Sequence, residues 1–153
     1  MPVKKLKAFL DSEGIKYVTI SHSKAYTAQE VAASAHIPGK EMAKTVMVKL
    51  DGDMAMVVLP ADHKVHFDQL ADALGVKDAT LASEEEFKGL FPDCDPGAMP
   101  PFGNLYGMDV YIEEGLTDNQ RIAFNAGSHT EVIRVPYKDF ERLVKPKVFK
   151  AAN

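Results

Sequence analysis

Two apolar runs, KTVMVKL at residues 44–50 and DMAMVVLP at residues 53–60, are separated only by Asp51-Gly52. An Asp-Gly pair between such runs is a strong signal for a β-hairpin, because the tight turn needs positive φ at both central residues. Parallel neighbours, by contrast, need a crossover of a dozen or more residues. The centre of the chain therefore predicts a mixed or antiparallel sheet and argues against a doubly wound parallel one.

The remaining pattern places helices and strands around that hairpin. Val3, Leu6, Phe9 and Leu10 recur at helical spacing, with Gly14 as the stop. IKYVTISH reads as a strand with Val18 and Ile20 on one face. Thr27 and Glu30 form a capping box that opens a short helix, and PGKEMA reads as a loop. Phe67, Leu70, Ala71 and Leu74 mark a third helix closed by Gly75. Ser83 and Glu86 form a second capping box ahead of EEEFKGLF. GMDVYIEEGL, RIAFNAG and TEVIRVP read as strands. Pro136 opens a last helix, YKDFERLV, with Phe140, Leu143 and Val144 on its apolar face. No repeat or linker divides the chain, so residues 1–153 are expected to form a single domain.

Composition limits the classes of function. No apolar run is long enough to span a bilayer. MPVKKLKAFLDSEG turns acidic where an export signal requires an apolar stretch, so no such signal is expected. The single cysteine, Cys94, excludes an internal disulfide and a zinc finger, and it fits a reducing cytoplasm. A net charge of −4 argues against coating nucleic acid through a general positive field. It leaves room for a local basic site. Lys4, Lys5 and Lys7 cluster near one end, and Arg142, Lys145, Lys147 and Lys150 near the other. Each cluster reads as a solvated face, or as half of one basic patch if the termini meet.

Four constellations carry candidate chemistry. Lys44 sits where a loop enters an apolar strand, either snorkelling to water or serving as an anion site at the strand end. CDPGAMPPFGNLYG, residues 94–107, gathers the only cysteine, three glycines and three prolines. Within it Gly97 to Pro101 spells G-x-x-x-P, and Pro96, Pro100 and Pro101 stiffen the path. Ala98 and Met99 keep backbone N–H groups, and rigid outward amides bind an anion or a carbonyl oxygen without reorganising. The bland alternative is a plain connector. His63 and His66 are three apart, as on one helical turn, but no carboxylate–histidine motif accompanies them. His129, in the small-residue turn NAGSHT, and His22, at a strand end, are candidate pocket walls. Cys94 has no basic neighbour or helix start to activate it and reads as structural rather than nucleophilic.

Lys44, the later G-x-x-x-P and the C-terminal run FNAGSHTEVIRVPYKDF together resemble the YbaK family of free-standing aminoacyl-tRNA editing domains. That family is related to the editing insertion of bacterial prolyl-tRNA synthetases. The resemblance runs from the first helix to about Leu143. It implies an α+β fold: a mixed, mostly antiparallel, barrel-like β-sheet surrounded by helices. It also implies hydrolysis of the ester of a mischarged tRNA in trans, typically alanine or cysteine on proline tRNA. Lys44 would bind near the 3′-terminal nucleotide, and the loop from Gly97 to Pro101 would hold the aminoacyl ester through its backbone. Lys44, Gly97 and Ala98 are then the expected catalytic residues. Thr45, Met99, Pro100, Pro101, Ser128, His129 and His22 are the expected substrate-binding ones. Bulky Met99 is expected to shape the pocket. No cofactor, metal or membrane is implied, no Ser-His-Asp triad is required, and the protein is expected to be a monomer. The partners implied are the aminoacylated 3′ end of tRNA and an aminoacyl-tRNA synthetase. The alternative reading is a non-catalytic module that binds tRNA ends, nucleotides or a synthetase. A metal-dependent hydrolase has the least support.

Overall fold

Strands β2 (Met42–Leu50) and β3 (Asp53–Pro60) form the expected hairpin, paired antiparallel from Ala43 opposite Pro60 to Leu50 opposite Asp53. Asp51 and Gly52 both take positive φ, 51° and 90°, as this two-residue turn demands. The computed structural model describes residues 4–22, 28–92, 94–95 and 97–150. The capping box expected at Thr27 therefore lies outside the described residues, as do Val3 and Pro96. The other elements are α1 (Lys4–Ser12), β1 (Val18–Ser21), α2 (Ala28–Ser34), α3 (Phe67–Leu74), β4 (Ala79–Leu81), α4 (Glu84–Phe87), β5 (Val110–Glu113), α5 (Glu114–Thr117), β6 (Arg121–Asn125), β7 (Glu131–Pro136), α6 (Tyr137–Val144) and β8 (Lys147–Phe149).

One eight-stranded mixed sheet runs β1-β7-β6-β2-β3-β5-β8, with β4 added to β2. β1 with β7, β2 with β3 and with β4, and β6 with β7 are antiparallel. β2 with β6, β3 with β5, and β5 with β8 are parallel. Antiparallel pairings thus predominate, as the family resemblance implies. Among the described residues the path is open, with edges at β1 and β8.

Alternation along β2 sorts its side chains onto two covered faces. Ala43 and Met47 join the main core with Leu6 and Leu10 of α1, Tyr137 and Phe140 of α6, and Phe102. Met42 faces the other way, against Val31 and Ala32 of α2 with Ala123 and Val132. Val48 and Leu50 also face that way, against Leu70 of α3 with Val57 and Leu59. Helices therefore cover the sheet on both sides.

Several expected elements differ in extent. The strand expected over 107–116 is confined to Val110–Glu113, and the chain then turns into α5, where the Thr117 hydroxyl donates to the Glu114 carbonyl at 2.7 Å. The expected loop PGKEMA ends early, because Met42 and Ala43 already belong to β2 and pair with β6. Val18, on one face with Ile20 as expected, is exposed on the edge strand. Strands β4 and β8 carry three residues each, too few for a readable period.

Gly103 owes its identity to crowding. A Cβ there would lie 2.6 Å from the Met108 carbonyl oxygen and 2.6 Å from Val110 Cγ2. Gly103→Ala is expected to destabilise the fold by about 1–3 kcal/mol, read as a lower denaturation midpoint in urea. An unchanged midpoint would show that the 103–108 segment yields freely. A second expectation concerns alkaline pH. Burial, with the Glu141 carboxylate nearby, pushes the Tyr137 phenol up to about 12. The unfolded phenol ionises near 10, so stability present below about pH 10 declines as pH rises toward 12. Tyr137→Phe should flatten that decline in thermal melts taken across the range.

Candidate functional site

The sheet parts beside Lys44. On one side of β2, pairing with β6 ends at Ala43 opposite Phe124, and pairing with β4 begins only at Val48 opposite Leu81. The Ala123 N–H donates to the Glu41 carbonyl at 2.9 Å, and the Ala82 N–H donates to the Met47 carbonyl at 3.0 Å. These bonds show that odd-numbered residues of β2 turn their backbone groups toward this side. Thr45 lies midway, where neither neighbour reaches it in the ladder. Among the described residues, the Thr45 hydroxyl oxygen is buried without a hydrogen-bond partner, and so is Asn125 Oδ1 at the end of β6. Buried polar groups are nearly always paired, so two orphans flanking one parting mark it as a place where a ligand could bind.

Lys44 stands at this parting, half-buried, on the face opposite Thr45. Desolvation lowers its ammonium below the ordinary lysine value and Lys64 adds to this, while Asp62 and Glu113 act against it. Lys44 lies opposite Leu59. Glu113, on the far side of β3, is buried and accepts His63 Nδ1 at 2.6 Å.

The Gly/Pro loop is fastened to the turn between β6 and β7. The Asp95 N–H donates to the Gly127 carbonyl at 2.8 Å, and the Gly127 N–H donates to the Ala98 carbonyl at 2.9 Å. Gly97 takes φ +82°, and the nearest atom to a Cβ built there is His129 Cε1 at 3.9 Å. Ser128 is buried, its Oγ 3.3 Å from Thr130 Oγ1. The His22 N–H donates to the Thr130 carbonyl at 2.8 Å. The structure thus brings Gly97, Ala98, Ser128, His129 and His22 together. Lys44 and Thr45 lie one strand away, beside the strand end from which the turn departs.

Two expectations about the loop change. The Ala98 N–H is engaged by the Asp95 carbonyl at 3.0 Å, because the loop closes on itself there, so this amide does not face outward. Among the described residues, no backbone hydrogen bond engages the N–H of Gly97 or of Met99. The Met99 side chain, 4% exposed, packs in the main core. Pro100 and Pro101 are buried as well. Cys94 is half-buried against the main core, and its N–H donates to the Phe91 carbonyl at 3.1 Å.

Elsewhere, His63 is occupied by Glu113, and among the described residues no three His, Cys, Asp or Glu side chains converge as a metal site. Three of the terminal basic residues have local partners. Lys5 reaches the Leu105 carbonyl and lies over the Tyr106 ring, Arg142 pairs with Asp139, and Lys147 pairs with Asp109. No helix among the described residues is long and apolar enough to cross a membrane. Asn125, Glu113 and His63 were missed as members of this region. Asn125 lies in the run that carries the family resemblance, but its orphaned amide depends on where β6 leaves β2, which no local pattern encodes.

Comparison with known proteins gives this geometry a context. The model of the aminoacyl-tRNA editing domain family matches residues 22–143. Over 149 residues the chain is 27% identical to the multifunctional Ser/Thr-tRNA deacylase ProXp-y of Escherichia coli (strain K12), covering 94% of this chain and 89% of that protein. It is 31% identical over 88 residues to the proline–tRNA ligase of Bacillus mycoides (strain KBAB4), covering 58% of this chain and 15% of that enzyme. A solved structure described as a candidate trans-editing enzyme for prolyl-tRNA synthetase shares the fold, with a TM-score of 0.81 at 18% identity, covering 98% of this chain and 96% of that one. Matched by the family model over most of its length, the chain belongs to the aminoacyl-tRNA editing domain family.

Proposed function

We propose that the protein is an aminoacyl-tRNA deacylase acting in trans, which hydrolyses the ester between a small amino acid and the 3′-terminal ribose of a mischarged tRNA. The finer reading is alanine or cysteine on proline tRNA. The observation that carries the proposal is the loop at Gly97, fastened to the 126–130 turn with its Gly97 and Met99 amides unengaged by any backbone carbonyl among the described residues, beside a parting that holds Lys44. An ester is activated enough that placing a water and stabilising the developing oxyanion suffice. The Gly97 and Met99 N–H groups are the donors proposed for that oxyanion. Lys44 supplies a cation for the phosphate next to the terminal ribose, and His129 and Ser128 wall the aminoacyl group. The proposed mechanism uses no nucleophilic side chain. The Ser128 hydroxyl is paired with Thr130.

The E. coli relative is named for serine and threonine, and the proline–tRNA ligases carry the matched segment within longer chains. These relatives support a small substrate side chain and make a synthetase the second partner to test. The protein is proposed to act as a monomer. The experiment is single-turnover deacylation of tRNAs charged with alanine, cysteine, serine, threonine and proline. Ester hydrolysis above the uncatalysed rate supports the reading, whereas binding without hydrolysis would make the protein a recognition module. In the same assay Cys94→Ser should retain activity within about twofold. A loss of orders of magnitude would reinstate a thiol nucleophile.

A further inference from the structure

We infer that Asn125 is a recognition residue that binds a hydroxyl of the terminal ribose, an inference that rests on the deacylase reading above. Asn125 is 8% exposed, and its Oδ1 is fully buried without a hydrogen-bond partner among the described residues. Leaving an amide end unpaired in the interior opposes folding, and such groups persist where a ligand completes them. The position is specific. β6 and β2 run parallel and their pairing ends with Ala43 beside Phe124, so Asn125 and Lys44 are the first residue of each strand beyond the last pair. The two share a face: Ala123 of β6 and Met42 of β2 point into the same α2 cluster, and Asn125 and Lys44 each follow two residues later. Asn125 is also the last residue of β6 before the turn to which the Gly97 loop is fastened. A group bound there lies between the proposed phosphate contact and the proposed ester site, where the sugar joins them.

The chemistry favours a hydroxyl. The cationic alternative, the α-ammonium of the aminoacyl group, would be placed on the same face as the Lys44 ammonium. A neutral donor avoids that repulsion. An asparagine end offers an acceptor and a donor side by side, so a hydroxyl, which both donates and accepts, is served whichever way the amide is turned.

The test measures binding of uncharged acceptor-stem RNA hairpins by fluorescence anisotropy, so that it does not depend on hydrolysis. Three 3′ ends are compared: adenosine, 2′-deoxyadenosine and 3′-deoxyadenosine. Wild-type protein is expected to bind one deoxy end about tenfold more weakly than adenosine. Asn125→Ala and Asn125→Leu should bind all three ends alike, near the affinity of wild type for that deoxy end. Asn125→Leu should also melt no lower than wild type, since it replaces an orphaned amide with an apolar group of similar size. Variants that keep the wild-type preference, a wild type that binds all ends equally, or an Asn125→Leu that melts well below wild type would each overturn the role of Asn125 while leaving the deacylase reading intact. Failure of wild type both to bind any of the hairpins and to hydrolyse any charged tRNA would overturn both.

Discussion

Gly97→Val is expected to abolish deacylation of every mischarged tRNA, lowering the single-turnover rate by about two orders of magnitude or more. The cause is conformational. At φ +82° a β-branched residue is strongly disfavoured, at about 1–3 kcal/mol of strain. Crowding within the protein contributes little, because the nearest atom to an added Cβ is His129 Cε1 at 3.9 Å. The valine would relieve its strain by turning the peptide that precedes it, which re-aims the Gly97 N–H and pulls on the bonds from Asp95 and Gly127 that hold the loop. Loss of one oxyanion donor lowers rates by roughly 10²–10³. Circular dichroism would confirm folding. If folded Gly97→Val hydrolyses its substrates as wild type does, the loop is a connector and the proposed mechanism is wrong. Met99→Ala differs in kind. Its side chain lies in the main core, so truncation should appear first as a loss of about 2–5 kcal/mol of stability, ahead of any change in selectivity.

What could be read from the sequence follows the range of the interactions. The β2–β3 hairpin was legible because two adjacent residues, Asp51 and Gly52, dictate its turn. The same holds for α3, closed by Gly75 at φ 68°, and for α4, whose Ser83–Glu86 capping box forms in both directions. Each signal lies within a few residues. β4 and β8 were not legible, because each is three residues long and exists through pairing with a distant strand. The same reasoning applies to the site. Lys44 and Gly97 stood out as a cation at a strand entrance and a glycine among prolines. The orphaned ends of Thr45 and Asn125 arise where β6 and β4 fail to meet along β2. That gap is a property of the whole sheet, and no window of sequence contains it.

Lys44→Ala is expected to weaken binding of aminoacyl-tRNA and lower deacylation by about ten- to hundredfold, with the fold retained. A charge-assisted contact to a phosphate contributes about 1.5–3 kcal/mol, which gives that range. The fold should survive because the ammonium is half-buried at a strand edge and desolvation disfavours its charged form. Lys44→Met, which keeps the stem and removes the charge, should therefore melt no lower than wild type while losing the same affinity. The depressed pKa sets the pH behaviour as well. The bound anion needs the ammonium form, so affinity is held at low and neutral pH. It declines on the alkaline side, beginning at lower pH than it would for an ordinary lysine. Lys44→Arg keeps its charge throughout that range, so any binding it retains should lose this alkaline limb. Affinity of the wild type should also fall as salt rises, and Lys44→Met should show a shallower dependence by about one phosphate contact. Equal salt slopes and equal rates in wild type and Lys44→Met would place the phosphate contact elsewhere, leaving Lys44 as an edge lysine reaching for water.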